Sequence, residues 1–174
     1  MQLQPILTGT LIEVRPLRSE DFEELFDAAG DPLIWEQHPE PDRYKREAFQ
    51  RFFDTAMESK GAFAVIELKS GKIIGSSRYY AYNLPQREIM VGYTFLKREF
   101  WGGPYNRELK SLMLGHAFQF VDRVLFQVGE NNLRSQRALA KIGAQFVARE
   151  QLPGLDGTMQ PYLVFSISQR ETRF

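Results

Sequence analysis

Hydrophobic and polar positions change period along this chain, and each change marks an element. Thr10-Leu-Ile-Glu-Val-Arg15 reads as a short strand that Pro16 limits. Ser19 is a candidate N-cap, and Glu20 and Asp21 put negative charge on the first turn of a helix. Phe22, Leu25 and Phe26 then fall on one face of that helix, up to about Ala29, and Gly30-Asp-Pro32 stops it. Residues 32–41 hold three prolines and no period. Phe49, Phe52, Phe53 and Met57 recur at helical spacing and predict a second helix over 43–59.

Gly61 ends the helical part, and the character of the sequence changes there. Strands are predicted over 62–69, 73–82 and 87–96, joined by Ser70-Gly-Lys72 and by a turn at 83–86. They make an antiparallel meander. In the middle one, alternation sends Arg78, Tyr80 and Tyr82 to one face and Tyr79 to the other. A glycine loop at 101–105 opens a helix to about Val121, with Leu109, Leu112, Met113, His116 and Phe120 along one face. A short apolar strand over 124–128 follows. The helix over 131–142 has an Asn N-cap and Gly143 just past its end. Strands over 146–150 and 162–168 close the chain. The order is β-α-α-β-β-β-α-β-α-β-β, an α/β (α+β) fold with helices packed on a mixed sheet.

Composition narrows the chemistry. The 174 residues suit a single domain over 1–174, with 43% hydrophobic and 25% charged residues. No cysteine is present, which excludes disulfides, thiolate zinc sites and a cysteine nucleophile. Only His38 and His116 could serve a Ser-His-Asp triad, no Gly-x-Ser-x-Gly elbow accompanies them, and no metal site is expected. Twenty-two basic residues balance 22 acidic ones, which argues against a nucleic-acid partner held by bulk charge. No apolar run reaches membrane-spanning length, and Gln2, Gln4 and Pro5 are unlike a signal segment, so the expectation is a cytoplasmic protein without a membrane partner.

Two segments carry the functional signal. Gly92-Tyr-Thr-Phe-Leu-Lys-Arg-Glu-Phe-Trp-Gly-Gly-Pro-Tyr105 runs from a strand through glycines into a helix N-terminus, where free N–H groups and the helix dipole favour an anion. Asn131-Asn-Leu-Arg-Ser-Gln-Arg-Ala-Leu-Ala-Lys-Ile-Gly143 reads as a capped amphipathic helix, which accounts for Asn132 and Gly143 but not for Ser135. Together they resemble the GCN5-related N-acetyltransferase superfamily. The resemblance is strongest to its ribosomal-protein N-terminal alanine and serine acetyltransferase branch. Gly92, Tyr93, Trp101, Gly102, Tyr105 and Glu108 match that branch's first motif; Asn132, Ser135, Leu139, Lys141 and Gly143 match its second.

The resemblance implies a splayed, mostly antiparallel sheet of about seven strands with about four helices. It implies acetyl-coenzyme A as cosubstrate, its pyrophosphate on Trp101, Gly102, Gly103, Pro104, Tyr105 and Asn106. The pantetheine arm would lie along Phe95 and Leu96 and touch Asn132. An acetyl group would pass to a primary amine, on a protein N-terminus or a small molecule, by direct attack in a ternary complex. Glu88 is the candidate base and Ser135 the hydroxyl near the leaving sulfur. Trp35, Glu36, His38 and Tyr80 would line the acceptor side, and a homodimer is the assembly implied. Lys97, Arg98, Arg107 and Lys110 flank the phosphate loop and read as a solvated basic face or as charges that meet the coenzyme's phosphates.

Three positions depart from the superfamily pattern. The phosphate-loop positions hold Trp101, Pro104 and Asn106, and Pro104 brings no N–H. Leu139 stands where many members have a proton-returning tyrosine. Met90 stands where related sequences have a glutamate. These departures keep a second reading open, a catalytically silent acyl-coenzyme A-binding or interaction domain with the same fold.

Overall fold

The computed structural model describes residues 1–154 and 157–171. Eight strands form one sheet: β1 (Leu7–Thr8), β2 (Ile12–Pro16), β3 (Ala62–Glu67), β4 (Ile73–Asn83), β5 (Glu88–Leu96), β6 (Arg123–Gly129), β7 (Gln145–Pro153) and β8 (Met159–Ser168). Four α-helices pack on it: α1 (Phe22–Ala29), α2 (Arg46–Glu58), α3 (Tyr105–Ala117) and α4 (Leu133–Lys141). The expected architecture is borne out, with the two-residue β1 as an eighth strand. The second helix begins at Arg46 instead of residue 43, because residues 41–44 turn and Arg43 folds inward. The third ends at Ala117, four residues short of Val121.

Strand order is β1-β2-β3-β4-β5-β6-β8-β7. Every neighbouring pair is antiparallel except β5 and β6. One face carries α3 and α4 over Ile12, Val14, Phe63, Val65, Ile89 and Val124; the other carries α1 and α2 over Ala62, Ala64, Ile73 and Phe95. Both faces are covered, so the central strands are buried on both sides, the polar Ser76, Ser77 and Arg78 of β4 included.

The parallel pair decides where a ligand can enter. β5 and β6 are paired only at Glu88–Arg123, Ile89–Val124 and Met90–Leu125. Beyond that point β5 stays on β4, while β6 stays on β8 along its whole length. The sheet therefore forks, and β5 from Val91 to Leu96 has no strand on its β6 side. A bulge accompanies the divergence. Arg78 pairs with Gly92 and Ser76 with Phe95, so Tyr93 and Thr94 together stand opposite Ser77. Tyr93 adopts φ 53°, a left-handed conformation that is strained for a bulky residue.

A second irregularity corrects the expected alternation in β4. Arg78 and Tyr80 do share a face, opposite Tyr79. Ala81, at φ 50°, breaks the period, and Tyr82 turns to the α3 side.

Candidate active site

Phosphate chemistry is available at one prong of the fork. After β5 a 3-10 turn (Arg98–Phe100) leads into a loop in which Gly102 sits at φ 71°, a conformation glycine adopts without strain. Pro104 then starts α3 with helical backbone, and its carbonyl accepts from Glu108 N at 2.9 Å. Among the described residues, the N–H groups of Gly102, Gly103, Tyr105, Asn106 and Arg107 have no hydrogen-bond partner. The missing N–H of Pro104 therefore leaves five donors around the positive end of the helix dipole, a cradle for an anion. Trp101 is positioned by its indole N–H, which donates to Leu96 O at 2.9 Å. That bond occupies the Leu96 carbonyl, so Val91 to Phe95 hold the free part of the β5 edge. Phe95 and Leu96 point their side chains into opposite core faces.

The basic face expected around this loop is not solvated as a unit. Lys97 pairs with Asp27 at 2.8 Å and Arg98 with Asp31. Lys110 is buried, and Arg107 alone of the four is exposed without an ion-pair partner among the described residues. Glu108 also turns away. Its carboxylate accepts from the backbone N–H groups of Thr10, Leu11 and Ile12 and from the Thr10 hydroxyl.

The other prong ends in α4. Asn132 Oδ1 accepts from Ser135 N at 3.1 Å, the helix cap that the sequence predicts. The Ser135 hydroxyl has no hydrogen-bond partner among the described residues. Between them, Arg134 joins three segments. Its guanidinium donates to Ile34 O at 2.8 Å and meets Glu36 at 3.3 Å, while its backbone N–H donates to Gln37. The same guanidinium lies 4.1 Å from the centroid of Trp101. Sequence reasoning missed Arg134, because its partners lie about a hundred residues away and its own helix gives it no periodic role.

Through Arg134 the loop at 32–41 is drawn across the fork. Trp35, expected on the acceptor wall, is instead a buried plug: its indole donates to Ala29 O at 2.8 Å and its ring packs 5.1 Å from Phe95. Glu36 is exposed and, among the described residues, reaches only Arg134. His38 lies beneath the loop, edge-on to Trp35. Its Nδ1 accepts from Glu40 N at 2.9 Å. Burial, with the Arg43 charge beside it, pushes its pKa down to about 3. His38 is therefore neutral with its basic lone pair engaged, which removes it as a general base.

The face of the fork expected to meet the acceptor is aromatic and cationic. The guanidinium of Arg78 stacks 4.0 Å from the Tyr93 centroid, and that of Arg43 lies 5.0 Å from Phe52. Arg43 is paired with Glu40. Arg78 donates to Thr55 O and Phe52 O in the last two turns of α2, so the negative end of that helix faces its charge. Tyr80 stands beside Tyr93 with its hydroxyl toward Gln127, and burial raises its pKa. Tyr80 and the exposed Tyr93 are the expected and the newly found aromatic groups at this opening.

Glu88 is not brought to the open fork. It lies at the paired end of β5, about 13 Å along the strand from Gly92. Its carboxylate is buried and bound by Arg123. Cross-strand pairing, which the sequence does not reveal, takes it away from Ser135.

The fold is shared with known proteins. A family model for an acetyltransferase (GNAT) domain matches residues 12–145. A solved structure from T. thermophilus, assigned as an acetyltransferase, is 27% identical, with 95% of this chain and 90% of that chain covered at a TM-score of 0.75. A GCN5-related N-acetyltransferase from Brucella melitensis is 23% identical, covering 97% of this chain and 80% of that one at 0.81. Mycobacterium smegmatis RimJ, solved in complex with CoA-disulfide, is 18% identical, covering 97% and 86% at 0.70. No curated protein matches the sequence.

Proposed function

This chain belongs to the acetyltransferase (GNAT) domain family, and from that membership we propose that it moves an acetyl group from acetyl-coenzyme A to a primary amine, on a protein N-terminus or a small molecule, by direct attack in a ternary complex. The observation that carries the proposal is the row of five unpaired N–H groups from Gly102 to Arg107, set at the mouth of the β5–β6 fork. Those donors hold the pyrophosphate. The free edge of β5 pairs with the amides of the pantetheine arm, as an added strand would. Asn132 borders the same arm from the other prong.

Each residue then has a defined task. The bulge at Tyr93 and Thr94 frees peptide groups from the β4 ladder and aims donors at the thioester oxygen, where negative charge develops. The Ser135 hydroxyl is free to bond the leaving sulfur. Tyr80 and Tyr93 flank the incoming amine. An α-amine has a reference pKa of about 7.7–8.0, so it sheds its proton near neutrality with little help, whereas a lysine at about 10.4 does not. With Glu88 held by Arg123, the site favours the α-amine.

The test is thermal unfolding with acetyl-coenzyme A, followed by thiol release against a panel of amines and N-terminal peptides. Ligand at a hundred times its Kd stabilises by about 2.7 kcal/mol. Stabilisation with thiol release supports the enzyme. Stabilisation without turnover of any amine supports the silent domain. No stabilisation at saturating ligand overturns the coenzyme site.

A further inference from the structure

Among the described residues, Lys110 is the one buried cation without a carboxylate or a helix end to balance it. It lies on α3 and is only 6% exposed. Its Nζ donates to Thr94 Oγ1 at 2.8 Å, and Thr94 in turn bonds the Ser77 hydroxyl at 2.8 Å. On the opposite side, Nζ lies 5.6 Å from the Phe126 centroid. Thr94 belongs to β5 and Phe126 to β6, and both residues lie beyond the last paired position. The ammonium therefore sits inside the fork, between the diverging strands, with one hydrogen bond for three donors.

No opposing or like charge among the described residues accounts for it. The neighbours from β4 and β5 are hydroxyls and the neighbour from β6 is a ring. On α3 itself, the Glu108 carboxylate is turned to Thr10–Ile12, Arg107 is exposed, and His116 faces Gln2. Buried charge without a partner is costly, so its retention calls for a use.

We propose that Lys110 is a catalytic acid of the transfer, giving a proton to the sulfur as it leaves the acyl group. This rests on the acetyl-coenzyme A reading above. The amine nitrogen forms the new C–N bond and the C–S bond breaks, with its electron pair going to sulfur. One N–H proton of Lys110 passes to that sulfur, and Lys110 is left as a neutral amine. The proton shed by the acylated nitrogen passes to water, and Lys110 regains one from water before the next turnover.

Two observations favour this assignment. Leu139, at the family's tyrosine position, is apolar and buried in the core, so that position brings no acid and α4 offers the sulfur only the weakly acidic Ser135 hydroxyl. Burial also brings the Lys110 pKa down to about 7. A thiol has a reference value of about 8.5, close enough for a proton to pass between the Lys110 nitrogen and the sulfur.

The experiment follows the ultraviolet thiolate absorbance of bound coenzyme A across a pH series, in wild type and in Lys110→Met. An ammonium within reach lowers the bound thiol's pKa by about 1–3 units relative to the variant. The same variant lowers kcat about a hundredfold or more, with KM for acetyl-coenzyme A little changed. Methionine replaces a buried charge with an apolar chain of similar volume, a change cores tolerate. Lys110→Gln gives the same comparison should the methionine variant not fold. Equal thiol ionisation in wild type and in a folded variant that binds coenzyme A overturns the acid role. Failure of wild type to bind coenzyme A overturns the proposed function, and this inference with it.

Discussion

Gly129 and Pro39 are packed so closely that a Cβ on the glycine would lie 2.5 Å from the proline Cγ and 2.9 Å from its Cδ. Gly129 ends β6, on the open prong of the fork. The missing side chain therefore lets the loop at 32–41 lie against that prong. Gly129→Ala must push the loop away. Overpacking of this kind costs about 1–3 kcal/mol. The expected outcome is a Tm lower by about 3–8 °C, with faster proteolysis confined to residues 32–41. A variant as stable and as protease-resistant as wild type would show that the loop is not held there.

Arg134 holds the same loop from the side. Arg134→Ala removes a charge-assisted bond to the Ile34 carbonyl and the stack on Trp101. Such bonds are worth about 1.5–3 kcal/mol. We expect KM for acetyl-coenzyme A to rise about tenfold or more, because Trp101 borders the phosphate cradle. Arg134→Lys should rescue little, since an ammonium cannot hold the Ile34 carbonyl and Glu36 with separate nitrogens while it lies over the indole. Steady-state kinetics of the two variants check this.

Glu108 is a tether between α3 and the turn before β2. Burial raises its pKa, but bonds from the Thr10 hydroxyl and from the N–H groups of Thr10, Leu11 and Ile12 outweigh that and hold it below the usual value. A depressed carboxylate stabilises the fold above its unfolded pKa, and that stability is lost as pH falls through the folded value. Glu108→Ala leaves three backbone donors unpaired and should cost about 1–3 kcal/mol. The loss, measured by urea unfolding, should shrink in strong acid.

The sequence made the sheet meander, α3, α4 and the Asn132 cap legible, because period, turn residues and caps are local. It also carried enough motif for the family to be recognised. What it hid was non-local. Tyr93 and Ala81 take left-handed backbone that neither residue type advertises, and each resets the alternation after it. Arg123 claims Glu88 across a strand pair 35 residues apart in sequence. Trp35, His38 and Arg43 sit in a stretch without period, so nothing local distinguished a buried cluster from an acceptor wall. Lys110 falls one residue from the apolar stripe of α3, and only the fork between β5 and β6 makes its position an interior one.

Acid and base should separate two groups whose pKa values are depressed, His38 and Lys110. His38 has its pKa depressed to about 3 from 6.5, chiefly by burial and then by Arg43. Its contribution is whole above pH 6.5 and is lost as pH falls toward the folded value. His38→Asn keeps an acceptor for Glu40 N and cannot be protonated. Wild-type Tm should therefore fall between pH 6.5 and 4.5 more than that of the variant. Lys110 is depressed by burial from 10.5 to about 7, so its penalty is full below pH 7 and relieved as pH rises toward 10.5. Lys110→Met should be the more stable protein at neutral pH, and its advantage should vanish toward pH 10.5. Differential scanning calorimetry over the pH range reads both effects.

The central claim is that coenzyme A binds in the fork, phosphates on the α3 cradle and arm along β5. Two-dimensional amide NMR of the labelled protein, titrated with coenzyme A, tests it most directly. The largest shifts are expected on the N–H groups of Gly102, Gly103, Tyr105, Asn106 and Arg107, with a second set from Val91 to Phe95. Shifts absent from both segments at saturating ligand, or gathered on the outer strands β7 and β8, would contradict it.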